Sequence, residues 1–396
     1  AQCVIETSNG DAAIEAEVVG FDGKHLYLMP IHYLEGIRAG SLVRFKQAQS
    51  LCGVGEKMLG RVINGLGEPI DGKGPISYDA EVALDAKALN PMERGEVKDV
   101  LDTGIKAING CLTFGKGQRM GLIAGSGVGK SVLMGMLTRN TAADVVVIGL
   151  IGERGREVQE FVQKTLGESG LARAVVIAAP VDVSPVMRIK AAKLTHSVAE
   201  YFAAKGNDVL LLFDSLTRVA HAQREIGLAV GEPPTTKGYT PSVFSLLPKL
   251  IERVGVGPGP QGTISAFYTV LAEGDDRSDP IVDIARATLD GQIMLSRELA
   301  DAAHYPAIDL EGSISRIATN LVSADQLRLA QRLRRYWTLY AQKQDLIQVG
   351  AYTEKTDPEL DEAIRLRGTI NAFLTQGSEE AVDLAQTFKQ LKQTMN

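Results

Sequence analysis

The residues most able to do chemistry form a glycine-rich stretch that ends in a lysine and a serine. Residues 124–131 read Ala-Gly-Ser-Gly-Val-Gly-Lys-Ser, after the apolar run 120–123 and before the helix-like segment 132–140. Glycines allow backbone N–H groups to point at phosphate oxygens, and a helix start adds partial positive charge. Ala124 replaces the usual first glycine of this pattern, and its small side chain still permits the turn. The stretch therefore predicts a nucleoside triphosphate site.

The spacing of the stretch also assigns roles to its last two side chains. Lys130 would reach the β- and γ-phosphates of the nucleotide, and the hydroxyl of Ser131 would bind Mg²⁺. The other members would contribute mainly backbone N–H groups that surround the phosphates. The predicted nucleotide-binding residues of this stretch are Gly125, Ser126, Gly127, Val128, Gly129, Lys130, Ser131 and Val132.

A second apolar run, 208–214, ends in the carboxylate of Asp214. This is how a buried parallel strand delivers an acid to the carboxyl edge of its sheet. We predict that Asp214 holds Mg²⁺ through the water shell of the ion, which is the second half of the usual phosphate-site chemistry. Taken alone, the same residue could be an ordinary aspartate before the helix that starts near Ser215.

A third strand-like run, 144–150, leads into the charged turn 152–157. A glutamate just beyond the strand end can polarise a water molecule for in-line attack on the γ-phosphate. We assign this role to Glu153, because Glu157 falls in the first turn of the next helix, where an acid is expected from the helix dipole alone. In isolation, the turn could also be a solvated charged loop.

The surrounding elements must bring these groups to one place. From about residue 102 to residue 316, strands alternate with helices, which predicts a mostly parallel sheet with helices on both faces. Phosphate chemistry then belongs at the carboxyl edge, where Lys130, Glu153 and Asp214 all fall. The predicted strands are 119–123, 144–150, 174–179, 208–213, 263–271 and 292–296.

The two ends of the chain have different patterns from the centre. Residues 1–48 contain short alternating runs and turn signals, which predict a small β-barrel or part of one. Residues 49–100 are punctuated by glycine and proline and are interpreted as a linker into the central domain. Predicted C-terminal helices cover 324–347, 358–376 and 379–395. The proposed domains are 1–48, 49–320 and 321–396.

Composition narrows the possible classes of protein. The chain has 396 residues, of which 45% are hydrophobic and 23% charged, and its net charge of −6 argues against a main affinity for nucleic acid. Its 3 cysteines are scattered, which indicates a reducing compartment without a disulfide framework or zinc site. The 5 histidines lack metal-ligand spacing. No apolar run approaches the roughly 18 residues that span a bilayer.

Taken together, these residues resemble the catalytic ATPase of flagellar and type III protein export. That family is related to the catalytic subunit of rotary ATP synthases. The resemblance implies an α/β fold with a RecA-like P-loop core, a small N-terminal β-barrel and a C-terminal helical domain. The stretches that carry it are 124–131, 152–157, 212–218 (Leu-Phe-Asp-Ser-Leu-Thr-Arg), 231–239 (Gly-Glu-Pro-Pro-Thr-Thr-Lys-Gly-Tyr), 266–276 and 304–309 (His-Tyr-Pro-Ala-Ile-Asp).

The resemblance also implies a homohexameric ring that binds ATP between subunits and hydrolyses it with Mg²⁺. Arg154 and Arg218 correspond to arginines near the γ-phosphate. Arg316, in Ser-Ile-Ser-Arg, matches the arginine finger that reaches the nucleotide of a neighbour. Tyr305 matches an aromatic residue that packs on adenine, although a tyrosine here could equally fill a core or an interface.

Further expectations from the resemblance concern partners and location. The family acts in the cytoplasm at the inner face of the membrane, with an export-apparatus regulator, an export gate and chaperone–substrate complexes. A coiled-coil stalk protein inside the ring would contact the loop 274–280. From the sequence alone, this loop is predicted to be an acidic solvated turn. The family typically has a leading helix before the barrel that binds the regulator, and we expect the present chain to lack it.

Three other functions compete with protein export. One is a nucleotide-binding ring subunit without turnover, which a carboxylate at Glu153 argues against. Another is the catalytic subunit of a rotary ATPase, which the exact residues of the loop motifs disfavour. A hexameric RNA translocase would need a basic pore and an aromatic single-strand module. The arginines beside Tyr336 and Trp337 instead suggest a solvated helix face, with no nucleic acid partner.

Overall fold

A computed structural model describes residues 1–6, 13–32, 37–38, 40–86, 90–272 and 278–396 of the chain. Its strands are β1 (Gln2–Ile5), β2 (Ile14–Asp22), β3 (His25–Pro30), β4 (Val43–Gln47), β5 (Leu51–Val54), β6 (Arg61–Ile63), β7 (Ala80–Ala83), β8 (Arg119–Ala124), β9 (Val145–Ile151), β10 (Ala174–Ala179), β11 (Val209–Asp214), β12 (Gly255–Val256), β13 (Thr263–Leu271), β14 (Gly291–Leu295) and β15 (Ile308–Ser315).

The α-helices alternate with the strands through the centre and then continue without strands to the C-terminus. They are α1 (Lys106–Cys111), α2 (Lys130–Asn140), α3 (Gly155–Glu160), α4 (Gly167–Ala172), α5 (Pro185–Ala204), α6 (Leu216–Ala229), α7 (Pro241–Ile251), α8 (Pro280–Thr288), α9 (Arg297–Asp301), α10 (Ala318–Leu321), α11 (Ala324–Gln348), α12 (Pro358–Leu374) and α13 (Leu384–Thr394). A π-helical turn, Phe161–Leu166, joins α3 to α4.

Within the described residues, a nine-stranded sheet forms the centre of the molecule, in the order β15-β14-β8-β13-β11-β9-β10-β6, with β12 paired to β13. Neighbours from β14 to β6 are parallel, whereas β15 runs antiparallel to β14. Every residue of β9, β10 and β11 is buried, because helices cover both faces of the sheet. This burial explains why the three strands are continuous apolar runs rather than alternating ones.

The strand order brings the predicted functional groups to one edge. Strand β13 lies between β8 and β11, and β9 follows on the far side of β11. The last residues of the strands are in register, since Leu271 pairs with Ala124 and Asp214 pairs with Leu150. The loops after β8, β9 and β11 therefore leave the sheet side by side at its carboxyl edge, where ligands bind in open α/β sheets.

The N-terminal strands form a separate antiparallel sheet. Among the described residues it has four strands in the order β3-β2-β1-β4, and closure into a barrel stays a prediction. The buried ammonium of Lys190 on α5 holds it to the central domain, 2.9 Å from the carboxylate of Glu17 and 2.7 Å from the Ser50 hydroxyl. Of the predicted turn residues, 9, 10 and 39 lie outside the described part of the chain.

The interpretation of residues 49–100 as a linker is wrong for β5, β6 and β7, because β5 pairs antiparallel with β7 and β6 is the edge strand of the central sheet. Strand β6 pairs in parallel with β10. Arg61 closes the following glycine-rich turn by a 2.7 Å ion pair with Asp71, whose carboxylate also accepts from the Val62 N–H. Three residues are too few to show a strand period, so only the turn signals around them are visible in the sequence.

The C-terminal helices pack against the central domain through a shared apolar core, which includes Phe373 and Leu391, and through polar contacts. The Gln376 side chain accepts from the Lys106 N–H and donates to the Gly104 carbonyl, both at 2.8 Å. The last helix begins at Leu384 rather than at the predicted residue 379. The chain instead turns at 378–379, the Val382 N–H donates to the Gly104 carbonyl, and Asp383 caps the helix by accepting from the Gln386 N–H.

The arginines of α11 that could suggest a nucleic-acid surface make contacts within the chain. Arg332 donates to the Met395 carbonyl at 3.0 Å, and Arg335 donates to Glu359 at 2.6 Å. Arg334 donates to the Leu310 carbonyl at 2.9 Å. Among the described residues, the structure has no helix that is both long and apolar enough to cross a membrane.

The central strand β11 should be sensitive to truncation, because Leu211 is fully buried there. We expect Leu211→Ala to lower the free energy of unfolding by about 2–5 kcal/mol through lost burial and a cavity. Urea denaturation followed by circular dichroism measures this. As a control, Val349→Ala, at a side chain that is 75% exposed, should change it by less than about 0.5 kcal/mol. Equal small effects would contradict the packing described.

Candidate active site

The glycine-rich stretch forms a tight loop between β8 and α2. Gly127 and Gly129 have φ angles of 79° and 90°, in the left-handed region that favours glycine. Gly129 occupies the cap position, so α2 begins at Lys130, two residues before the helix-like segment predicted at 132. The loop therefore ends directly on a helix N-terminus, which provides N–H groups and partial positive charge for an anion.

The loop lines a cleft of about 750 Å³ at the carboxyl edge. The side chain of Val128 points into the core and is 1% exposed, so only its backbone remains available to a ligand. Ser131 and Val132 are exposed on the first turn of α2. The other predicted loop residues that line the cleft are Gly125, Ser126, Gly127, Gly129 and Lys130.

The charged centre of the cleft is the ammonium group of Lys130. Its Nζ lies 2.6 Å from Oδ1 of Asp214 and 3.5 Å from Oε1 of Glu153. Asp214 is 3% exposed, and the hydroxyl of Thr269 on β13 donates to the same Oδ1 at 2.6 Å. Three segments that are distant in sequence thus supply one compact cluster of opposite charges. Sequence reasoning missed Thr269, although its place near the end of a central strand was visible.

The charged groups in this cluster shift the pKa values of their neighbours. Burial opposes the charge on Lys130, but the carboxylates of Asp214 and Glu153 outweigh it and raise the pKa of the lysine. Burial and the negative charge of Asp214 raise the pKa of Glu153 to about 7, against the opposing effect of Lys130. A carboxyl group with a pKa near neutrality is suited to accept a proton during catalysis.

The two predicted γ-phosphate arginines occupy different depths of the cleft. Arg218 lies on α6, and its buried Nε has no hydrogen-bond partner among the described residues. Its positive charge lowers the pKa of Glu153, so the two side chains interact electrostatically. Arg154 precedes α3 with a side chain that is 82% exposed, and its guanidinium lies 3.5 Å from Glu157. Arg154 is therefore at the rim.

The predicted adenine-packing residue lies against the loop. A Cβ built on Gly129 would be 3.4 Å from the Tyr305 ring, which is 42% exposed. The backbone N–H of Gln376 donates to the Tyr305 carbonyl at 2.9 Å, which ties this segment to the C-terminal helices. Sequence reasoning missed Arg297, which donates to the Ser126 carbonyl at 3.0 Å. Its position directly after β14, at the same sheet edge, was the available signal.

Arg316 lies away from this cleft. It follows β15, whose last residue, Ser315, pairs with Gly291 at the start of β14. Because β14 is parallel to β8, the start of β14 marks the amino edge of the sheet. Arg316 therefore lies at the amino edge, a strand's length away from the cleft at the carboxyl edge. Its guanidinium donates to the carbonyls of Leu289 and Arg286, at 3.3 Å and 2.8 Å.

The predicted stalk-contacting loop, 274–280, falls largely outside the described residues, which exclude 273–277. In the described part, Asp279 caps α8 by accepting from the Ile281 N–H at 2.8 Å. Its carboxylate also lies 3.2 Å from Nζ of Lys237. The contact between this loop and a stalk therefore stays a prediction.

The residues present fit a nucleoside triphosphate with Mg²⁺. The buried, unpartnered Nε of Arg218 calls for an acceptor, and nothing lies within 4 Å of a Cβ built on Gly127, which leaves the loop accessible to phosphate oxygens. No cluster of three or more His, Cys, Asp and Glu side chains in the described ranges could hold a metal. Mg²⁺ would thus depend on Ser131, Asp214, water and phosphate oxygens, as is usual for this ion.

The sequence matches two family descriptions. Residues 104–315 match the nucleotide-binding domain of the ATP synthase alpha/beta family. The chain belongs to this family. Residues 322–393 match the C-terminal domain of the T3SS EscN ATPase. Proteins named flagellum-specific ATP synthase are similar to nearly the whole chain.

The flagellum-specific ATP synthase of Pseudomonas aeruginosa is 54% identical over 374 residues, which cover 94% of this chain and 83% of the relative. That of Salmonella typhimurium is 50% identical over 400 residues, which cover 99% and 88%. The assembled ATPase EscN of the enteropathogenic E. coli type III secretion system is similar in structure, with a TM-score of 0.94 and 40% identity over 100% of this chain and 95% of that one.

A second solved structure, EscN in complex with its central stalk EscO, has a TM-score of 0.90 and 39% identity, over 99% of this chain and 94% of that one. These similarities and the parallel sheet confirm the predicted fold class and the predicted resemblance to flagellar and type III export ATPases. The chain is a P-loop ATPase with a nucleotide-binding domain. The individual roles of its site residues stay predictions.

The raised pKa of Glu153 predicts a pH-dependent stability. Between the ordinary value of 4.5 and about 7, the folded chain binds more protons than the unfolded chain, so the stabilisation present below pH 4.5 is lost as the pH rises through 7. We therefore expect Glu153→Gln to raise the melting temperature relative to wild type, and more at pH 8 than at pH 5. Thermal unfolding at both pH values measures this difference.

The matched control is Glu168→Gln, at an exposed glutamate of α4. Its difference from wild type should not grow with pH. A difference for Glu153→Gln that is equally independent of pH would show that this carboxyl group ionises normally.

Proposed function

We propose that this chain hydrolyses ATP with Mg²⁺ to ADP and phosphate, and that this reaction energises protein export by a flagellar or type III apparatus. The observation that supports hydrolysis best is the cluster of Lys130, Asp214 and Glu153 at the end of the phosphate loop. A subunit that only binds nucleotide would not need a partly buried carboxyl group with a pKa near 7 beside the lysine. The similar proteins named flagellum-specific ATP synthase support export.

Binding begins with an exchange of partners at Lys130. In the free site its ammonium is held by carboxylates, and the β- and γ-phosphates would replace them as the anionic partner. Backbone N–H groups of the loop and the first turn of α2 would hold the same phosphates. Mg²⁺, held by Ser131 and by Asp214 through water, would neutralise developing charge on the phosphate oxygens.

Glu153 would then orient the attacking water and accept its proton. The water oxygen forms a bond to the γ-phosphorus while the bond to the β-phosphate oxygen breaks, so ADP leaves with the bonding electrons. Arg218 would donate to the γ-phosphate, because its buried Nε has no partner in the described part of the chain. Arg154, at the rim, would approach only after the cleft closes around the substrate.

The base of the nucleotide would lie against Tyr305. The ring of this residue is beside Gly129, at the end of the phosphate loop, and remains 42% exposed. A flat, partly exposed ring next to the phosphate-binding loop is suited to stack on adenine. We therefore assign Tyr305 to the adenine side of the site.

We propose further that the site is completed by a neighbouring subunit in a homohexamer. Arg316 lies at the amino edge of the sheet and cannot serve the cleft of its own chain at the carboxyl edge. In a ring, the amino edge of one subunit can face the cleft of the next, so that Arg316 stabilises charge there in trans. The similar EscN has been solved as an assembled ATPase.

The remaining partners follow from the same similarity. EscN has been solved with its central stalk EscO, and we infer a corresponding coiled-coil stalk protein for this chain. We also propose an export-apparatus regulator, an export gate and chaperone–substrate complexes as partners. The proposed location is the cytoplasm, peripheral to the inner face of the cell membrane.

Glu153→Gln should keep ATP binding and abolish turnover, because the amide preserves the shape of the side chain but cannot accept a proton. We expect a loss of at least about a hundredfold in kcat, measured by steady-state phosphate release, with an ATP affinity within a few-fold of wild type by calorimetry. Exposed Glu168→Gln serves as the control with normal turnover. Hydrolysis by Glu153→Gln near the wild-type rate would remove this residue from its role.

Arg316→Ala should remove only the activity that depends on assembly. The wild-type rate per chain should rise with protein concentration, whereas the variant should stay at a low, flat rate, a loss of roughly 10³-fold or more at high concentration. The ATP affinity of the isolated subunit should be unchanged. A comparable loss of affinity in the isolated subunit would instead indicate a role within the same chain.

A further inference from the structure

Arg297 lies on the wall of the cleft and contacts the phosphate loop. It is the first residue of α9, directly after β14, and its side chain is exposed. Its Nη2 donates to the Ser126 carbonyl at 3.0 Å. Ser126 and Gly127 form the exposed turn at the tip of the loop, so this bond joins α9 to the part of the loop that strand and helix packing constrain least.

The contact with the Ser126 carbonyl also affects the N–H of Gly127, which belongs to the same peptide group. A peptide unit is planar and trans, so the N–H of Gly127 points away from the Ser126 carbonyl. Gly127 has no Cβ and adopts a φ of 79°, and the missing Cβ lets this peptide rotate more freely than one between ordinary residues. Holding the carbonyl in one direction therefore fixes the direction in which the Gly127 N–H is presented.

We propose that Arg297 is a positioning residue for ATP, which orients the Gly127 N–H toward the bound phosphates by holding the Ser126 carbonyl. The inference rests on the proposed ATP hydrolysis and adds a residue to it. Arg297 acts through the backbone of the loop, and its guanidinium need not touch the nucleotide. An N–H group that already faces the phosphates does not have to reorient during the reaction, which is how preorganised donors contribute to catalysis.

The same segment supports the loop at its other end. Residues 296–305 run from the end of β14 through α9 to Tyr305, whose ring lies 3.4 Å from a Cβ built on Gly129. Ser296 caps α9 by accepting from the Leu299 N–H at 3.3 Å, which fixes the direction in which Arg297 leaves the helix. Arg297 and Tyr305 thus contact the tip and the end of the loop from one short segment.

The experiment compares Arg297→Met and Arg297→Lys. Methionine keeps an unbranched side chain without a donor, whereas lysine keeps both a donor and a positive charge. ATP affinity is measured by calorimetry in the Glu153→Gln background, where turnover does not interfere, and kcat and KM are measured in the otherwise wild-type chain. Arg328→Met, at an exposed arginine of α11 that pairs with Asp325, is the matched control.

We expect Arg297→Met to weaken ATP binding and lower kcat/KM roughly five- to tenfold, the effect of one lost hydrogen bond, with an unchanged melting temperature. Arg297→Lys should recover most of the loss. The ratio of affinities between wild type and Arg297→Met should be the same at low salt and at about 0.5 M salt, because a contact between adjacent groups is hardly screened.

Two results would overturn the inference. One is an Arg297→Met variant that binds and hydrolyses ATP like Arg328→Met. The other is a difference from wild type that disappears at high salt, which would mean that Arg297 acts only as a distant positive charge. A wild-type chain that neither binds nor hydrolyses ATP would refute the proposed function itself. If the wild type and Arg328→Met are both active, the proposed function stands and only the inference about Arg297 is being tested.

Discussion

The ion cluster of Lys130, Asp214 and Glu153 is the interaction on which the rest of the site depends. A lysine ammonium 2.6 Å from one carboxylate and 3.5 Å from another keeps a partly buried positive charge stable until a more highly charged anion arrives. The same neighbours leave Glu153 with a raised pKa, because burial and Asp214 together outweigh the lysine. The proposed phosphate binding by Lys130 and the proposed proton transfer to Glu153 would thus both depend on this one electrostatic arrangement.

The sheet explains how the cluster can exist. Lys130 follows β8, Glu153 follows β9 and Asp214 ends β11, and these parallel strands end in register at the same edge of the sheet. The parallel strands are buried on both faces, so their ends are fixed within a rigid layer. The C-terminal helices contribute as well, since Gln376 holds the segment that contains Tyr305 against the phosphate loop. The opposite edge of the sheet presents Arg316, which in the proposed ring would complete the site of a neighbouring subunit.

Much of this arrangement could be predicted from the sequence, and the failures have physical causes. Glycine spacing and long apolar runs identified the loop, Asp214 and Glu153, because these signals are local and strong. The linker interpretation missed β6, since a three-residue strand at a sheet edge shows no period. The last helix was started too early because residues 379–382 have helix-compatible side chains but bind the central domain instead. Thr269 and Arg297 were missed because their importance depends on contacts between strands that only the fold brings together.

We propose that each site combines Glu153 of one subunit with Arg316 of the next. The most direct test mixes two inactive variants, Glu153→Gln and Arg316→Ala, in equal amounts under conditions in which the wild type assembles. An interface between an Arg316→Ala chain, which retains Glu153, and a Glu153→Gln chain, which retains Arg316, contains both intact groups. We expect recovery of up to about a quarter of the wild-type ATPase rate, the statistical share of such interfaces in a mixed ring. A mixture that assembles but is no more active than the separate variants would contradict it.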